Sequence, residues 1–217
     1  MKHLTLIAIV AVAFAAAPHA VAEGGDAANG AEIFATCVPC HGADGQGRAV
    51  GKGPAIAGLP QWYVEGQLGK FQSGGRGAHP DDHEGLRMRP MSRSLMNRDG
   101  VVKSRVQDVA AYVASLPKAS PAHTVDGDAE VGKSLYTPCI ACHGPAGGGN
   151  PALNAPPLVG LNDWYLVQSI EKFQAGIRGG NAAKDPTGAL MRPMAMTLTD
   201  AKKVKDVVAY IRTLGAN

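Results

Sequence analysis

Ten aromatic residues follow residue 22 of this 217-residue chain, and every one has a twin. Phe34, Trp62, Tyr63 and Phe71 recur 102 residues later as Tyr136, Trp164, Tyr165 and Phe173, and Tyr112 recurs 98 residues later as Tyr210. Between them, Met88-Arg89-Pro90-Met91 returns as Met191-Arg192-Pro193-Met194, 103 residues on. A match of this kind at so long a period is a duplicated domain rather than a solenoid. The joint falls in Leu116 to Gly127, which is rich in Pro, Ser and Ala and has no apolar periodicity. The expected organisation is a leader over 1–22, a first unit over 23–118, a linker over 119–127 and a second unit over 128–217. With five aromatic residues per unit, each core is thin, and a unit this small usually needs a staple.

The periodicity predicts helices and long loops. Ala27 to Cys37, Gln61 to Gln72 and Val102 to Leu116 carry apolar residues at helical spacing. The last has a twin from about Thr199 to Leu214, with Thr199 or Asp200 as its N-cap. No stretch alternates like a strand. Pro90 and Pro193 argue against a helix interior, so the two MRPM stretches are predicted to be loops. The segment from Ala78 to Gly85, "AHPDDHEG", reads as a polar loop as well.

At the N-terminus Lys2 and His3 precede an apolar run from Leu4 to Ala17 and an A-x-A site at Ala20-Val21-Ala22. That run is shorter than the ~20 residues that span a bilayer, so it reads as a cleaved export signal and the rest as a periplasmic, soluble or loosely membrane-associated protein. Residues 23–120 carry 11 basic and 10 acidic side chains, and residues 121–217 carry 9 and 8. Neither half has the concentrated positive field that nucleic acid requires.

All four cysteines lie in two C-x-x-C-H motifs, Cys37, Cys40 and His41, then Cys139, Cys142 and His143. Disulfides are the first alternative in an exported chain. Structural zinc would need two more Cys or His ligands per unit, yet His79, His83 and His123 have no twins. A thioredoxin-like redox pair would not need the following His. C-x-x-C-H is the attachment sequence of c-type haem, and its duplication at corresponding positions makes chance a poor explanation. Thiols three apart on a helix share a face and can form thioethers to the two vinyl groups along one porphyrin edge. The His that follows can bring its imidazole to the iron. Two covalently bound c-type haems would therefore be the missing staples, each providing most of a core.

With His on one side, the iron needs a sixth ligand or an open face. Each MRPM stretch offers two thioethers, and a thioether opposite His raises the potential and suits electron transfer. From the residues alone, Met88 and Met91 in the first unit, and Met191 and Met194 in the second, are equal candidates.

These features resemble the class I cytochromes c, and among them the dihaem cytochrome c4 type. The resemblance spans the chain beyond residue 22. It includes "GPAIAGL" and "PPLVGL", the "WY" to Phe helix, the Met stretches, and the closing "DVAAYVASL" and "DVVAYIRTL". It implies an all-α fold of two tandem class I cytochrome c domains, each wrapped round one haem. In that family the ligand Met stands seven residues before an apolar position that precedes the last helix, held here by Leu95 and Leu198, so the resemblance selects Met88 and Met191 over the alternates Met91 and Met194. It also implies that Pro54 and Pro156 offer carbonyls to the ligand His41 and His143. Arg76 and Arg178 are candidates for haem propionates, or else solvated surface residues.

The function implied is one-electron relay between a membrane donor complex and a terminal oxidase or reductase, with redox proteins as partners and no small-molecule substrate. Two rivals remain: a dihaem enzyme of peroxidase or thiosulfate-oxidising type, and an electron-transfer subunit of a larger respiratory complex. An enzyme would need an open or unlike ligand set at one haem, with His79 or His83 as the replacements on offer.

Overall fold

A computed structural model describes residues 24–96 and 103–215, so the expected signal peptide lies outside the described residues. The first unit contains α1 (Ala27–Phe34), α2 (Val38–His41), α3 (Gln61–Ser73), α4 (His83–Arg93) and α5 (Lys103–Ser115). The second repeats them as α6 (Ala129–Tyr136), α7 (Ile140–His143), α8 (Asp163–Gln174), α9 (Pro186–Met196) and α10 (Ala201–Leu214). Among the described residues the only β pairing is a pair of isolated bridges, Arg48 with Gly53 and its twin Asn150 with Ala155.

Each unit is built on the crossing of its first and last helices, α1 on α5 and α6 on α10. The crossing is close because glycine stands at the contact. A Cβ on Gly30 would lie 2.0 Å from the Asp108 carbonyl oxygen, and one on Gly132 would lie 2.0 Å from that of Asp206. The Asp side chains then tie the two helices together. Asp26 N and Asn29 Nδ2 donate to Asp108, and Asp128 N donates to Asp206. Behind each crossing an aromatic pair fills the core: Phe34 and Tyr112 at 5.2 Å between centroids, Tyr136 and Tyr210 at 5.5 Å. These tilted geometries are the favoured ones for aromatic rings.

The two MRPM stretches are helical, which corrects the loop expectation. Met88 to Met91 lie inside α4 and Met191 to Met194 inside α9, with Pro90 and Pro193 in the helix interiors. The proline in α4 is tolerated because Leu86, whose carbonyl loses its donor, and Pro90 are both exposed, so water can replace the missing bond. The helices are also anchored from outside: Gln72 Nε2 donates to the Ser92 carbonyl and Gln174 Nε2 to that of Ala195. The polar segment before α4 is not wholly loop either. His83 to Gly85 open α4, and the buried Asp82 caps it by accepting from Gly85 N.

The stretch between the units has no helix but is tied down. Thr124 donates to the buried Asp163 at the start of α8 through both N and Oγ1, and Val125 N adds a third bond. Ala119 N donates to the Ala57 carbonyl of the first unit.

Candidate haem sites

In the first unit the C-x-x-C-H segment makes a tight turn, with Cys37 as the N-cap residue of α2 and His41 at its end. The second unit reaches the same place through a single 3-10 turn, Thr137–Cys139, followed by α7. No disulfide joins the four cysteines, which stand as two C-x-x-C pairs 102 residues apart.

Both histidines of the motifs are buried and held by one partner each. His41 Nδ1 lies 2.8 Å from the Pro54 carbonyl, and His143 Nδ1 lies 2.9 Å from that of Pro156. A proline carbonyl can only accept, so Nδ1 carries the hydrogen and Nε2 keeps its lone pair. Burial lowers the pKa of both rings, against the smaller opposing effect of these bonds. A neutral imidazole with a fixed tautomer and a free Nε2 is the form that ligates a metal. Gly47 and Gly149, both at positive φ, let the loop cross this point; a Cβ on Gly47 would meet Ala55 N at 2.5 Å.

A cavity of about 400 Å³ opens beside His41. Cys37 and Cys40 stand on one wall with His41, and Met88 and Met91 stand on the wall supplied by α4. Leu68 and Phe71 of α3, with Val109 and Val113 of α5, give it an apolar lining. The sequence-predicted site residues of the first unit are thus brought together around one space. Of the two methionines, Met88 is half-buried while Met91 is 41 % exposed. In the second unit Met191 packs against the core and Met194 is half-buried. His79 and His83 are exposed, and neither lines the cavity.

The cavity continues into the seam between the units, where Tyr165, Lys172 and Arg178 of the second unit line it. Arg76 and Arg178 are not solvated surface residues. Their guanidinium groups stack 4.5 Å from the Phe71 centroid and 4.3 Å from the Phe173 centroid, and the Nε atom of each is buried without a hydrogen-bond partner. Burial and then the facing Arg76 both work against the charge on Arg178. Burial raises the Tyr165 phenol, but Arg76 and Arg178 more than reverse this and hold it below its ordinary value. Two guanidinium groups with buried, unpartnered Nε donors lining this cavity call for anions, and haem propionates match that requirement.

Sequence reasoning missed the ionic seam. Lys172 Nζ lies 2.6 Å from Asp82 Oδ1 and 2.7 Å from Glu84 Oε2, and its twin Lys70 lies 2.6 Å from Asp185 Oδ1. The signal was present: Lys70 and Lys172 recur at the 102-residue spacing of the aromatic twins, and Asp82 and Asp185 at the 103-residue spacing of the MRPM stretches. Sequence reasoning also missed Asn162, whose Oδ1 accepts from Ala55 N across the seam at 2.6 Å.

Comparison with known proteins agrees with this geometry. The cytochrome c family model matches residues 27–117 and again 129–215. The chain is 32 % identical over 210 residues to cytochrome c4 of Thiocapsa roseopersicina, covering 92 % of this chain and 96 % of that protein. It is 32 % identical over 213 residues to the thiosulfate dehydrogenase electron acceptor of Thiomonas intermedia, covering 93 % and 87 %. Among solved structures, reduced recombinant cytochrome c4 from Pseudomonas stutzeri superposes with a TM-score of 0.65 at 28 % identity, over 87 % of this chain and 98 % of that one. The chain belongs to the cytochrome c family, as a dihaem protein of the cytochrome c4 type with two covalently bound c-type haems.

Proposed function

We propose that this cytochrome c4-like electron carrier works in the periplasm, taking single electrons from a membrane-bound donor complex and passing them to a terminal oxidase or reductase. Cys37 and Cys40 hold the first haem and Cys139 and Cys142 the second. His41 and Met88 ligate one iron, and His143 and Met191 the other. A bound haem supplies the one-electron couple; the chain's residues set its potential and its access. The observation that carries this reading is the matched pair of His–Pro bonds, 2.8 and 2.9 Å, each with a half-buried Met in the following MRPM helix. Two like ligand sets suit relay, whereas an enzyme needs one iron that opens or differs.

The relative in Thiomonas intermedia is named as the electron acceptor of a thiosulfate dehydrogenase, which supports a redox protein as donor. Among the described residues, no helix is long and apolar enough to cross a membrane. Residues 1–22 are read as a cleaved export signal on their sequence alone. The domain limits proposed are 23–118 and 128–217, with 119–127 between them.

Stopped-flow oxidation tests the assignment. The reduced holoprotein, mixed with oxidase-containing membranes from the same source, should lose its ferrous spectrum at both haems within a turnover of the oxidase. Turnover of hydrogen peroxide or thiosulfate by the purified protein alone, without a redox partner, would instead establish the enzyme reading.

A further inference from the structure

The amide that joins Pro54 to Ala55 is hydrogen-bonded at both ends. Its carbonyl accepts from His41 Nδ1 at 2.8 Å, and its N–H donates to Asn162 Oδ1 of the second domain at 2.6 Å. Ala55 is 1 % exposed and Asn162 8 %, so the chain of bonds is closed to solvent. Glycine at position 47 keeps the path open, since a Cβ there would lie 2.8 Å from Asn162 Oδ1.

The second domain has no counterpart. Pro156 accepts from His143 in the same way, but the next residue is Pro157, which has no N–H to donate. The residue of the first domain that corresponds to Asn162 is Pro60, which has no side-chain acceptor. The connection therefore runs in one direction only, from the second domain to His41 of the first.

Building on the proposed ligation by His41, we propose that Asn162 is a positioning residue for the first haem, acting on His41 through the Pro54–Ala55 amide. An amide whose N–H is donated to an acceptor carries more negative charge on its oxygen, and linked bonds of this kind strengthen one another by roughly 10–30 % in a low-dielectric interior. A stronger bond from Nδ1 raises the basicity of the imidazole and its donation to the iron. That favours ferric over ferrous iron. Docking of the second domain thus lowers the potential of the first haem, and makes two sites with the same ligands unequal.

If Asn162 served only to satisfy a buried N–H, its loss would affect stability and leave the haems alone. Two substitutions in the holoprotein separate these roles: Asn162→Leu removes the acceptor at similar volume, and Asn162→Asp keeps an acceptor in place. The readouts are the two reduction waves and the ¹⁵N-edited Nδ1–H resonances of the histidines in the reduced protein. The wild-type spectrum is read first: a His41 resonance without a haem ring-current shift would mean that His41 is not a ligand, a failure of the ligation and not of the relay. Given the shift, Asn162→Leu is expected to move the His41 Nδ1–H upfield and to shift one reduction equilibrium several-fold toward ferrous iron. The other wave and the His143 resonance should stay in place, and Asn162→Asp should return both observables to wild type or past it. An unmoved His41 resonance, two waves moving together, or Asn162→Asp behaving like Asn162→Leu would each overturn the proposal.

Discussion

Lys172 of the second domain lies 2.6 Å from Asp82 of the first, and Asp82 is also the residue that caps the helix carrying Met88. The reciprocal pair, Lys70 with Asp185, does the same for the helix carrying Met191. Each domain thus holds the N-terminus of the other's methionine helix with a lysine. Replacing Lys172 by Met leaves Asp82 buried without its countercharge, and removal of one partner of such a pair costs about 3 kcal/mol. Calorimetry should show the wild type unfolding in one transition and the Lys172→Met variant in two, as the domains uncouple.

The same seam is sensitive to acid. Burial raises the pKa of Glu84, but Lys172 more than offsets this and holds the carboxyl at about 2, against an ordinary value of 4.5. Asp82 and Asp185 are lowered too, by Lys172 and Lys70 respectively, against their burial. A depressed folded-state pKa gives stability that is complete above the unfolded value and lost as pH falls through the folded one. Thermal stability should therefore fall between pH 4.5 and about 2, and the fall should be shallower in Lys172→Met. Equal slopes in the two proteins would place the acid sensitivity elsewhere.

Met88 and Met91 are separable by substitution. Loss of the half-buried Met88 to Leu should abolish the sulfur-to-iron charge-transfer band of the first haem and lower its potential, because a soft thioether favours ferrous iron. The more exposed Met91, replaced by Leu, should leave the band intact. Met191 and Met194 should repeat the pattern in the second domain.

Alanine at Gly30 or Gly132 would drive a methyl into a backbone carbonyl of the partner helix, 2.0 Å away in each case. Since the obstacle is backbone, the crossing must open, at a cost of roughly 2 kcal/mol or more. Gly30→Ala should destabilise the first domain and Gly132→Ala the second, as read from the loss of each haem's ferrous spectrum in denaturant.

The repeat, the C-x-x-C-H motifs and the closing helices were legible because each rests on local pattern: spacing of thiols, twinned aromatics and helical stripes. Asp200 caps its helix as expected, with its side chain accepting from Lys203 N. The MRPM helices were not legible, because whether an interior proline is tolerated depends on whether the carbonyl it orphans faces water. That is a property of how α4 lies on the surface, which the four letters do not carry. Arg76 and Arg178 could be paired as twins, but their stacking on Phe71 and Phe173 of their own domains depends on how the chain folds back after α3 and α8, which the letters do not carry. Asn162 left no trace in the repeat at all, since its role arises from the difference between Ala55 and Pro157.

If the haems supply most of each core, the chain without them should not hold its helices. A variant with Ala at Cys37, Cys40, Cys139 and Cys142 should show collapsed helical circular dichroism; native-like ellipticity would refute that dependence.

Electron transfer through two domains with like ligands is tested by a spectroelectrochemical titration of the holoprotein. Two positive, closely spaced one-electron waves are expected, with a sulfur-to-iron charge-transfer band in the oxidised form at both haems. One wave at far more negative potential, or high-spin iron at either site, would contradict it, because that haem would then have an open or different sixth ligand.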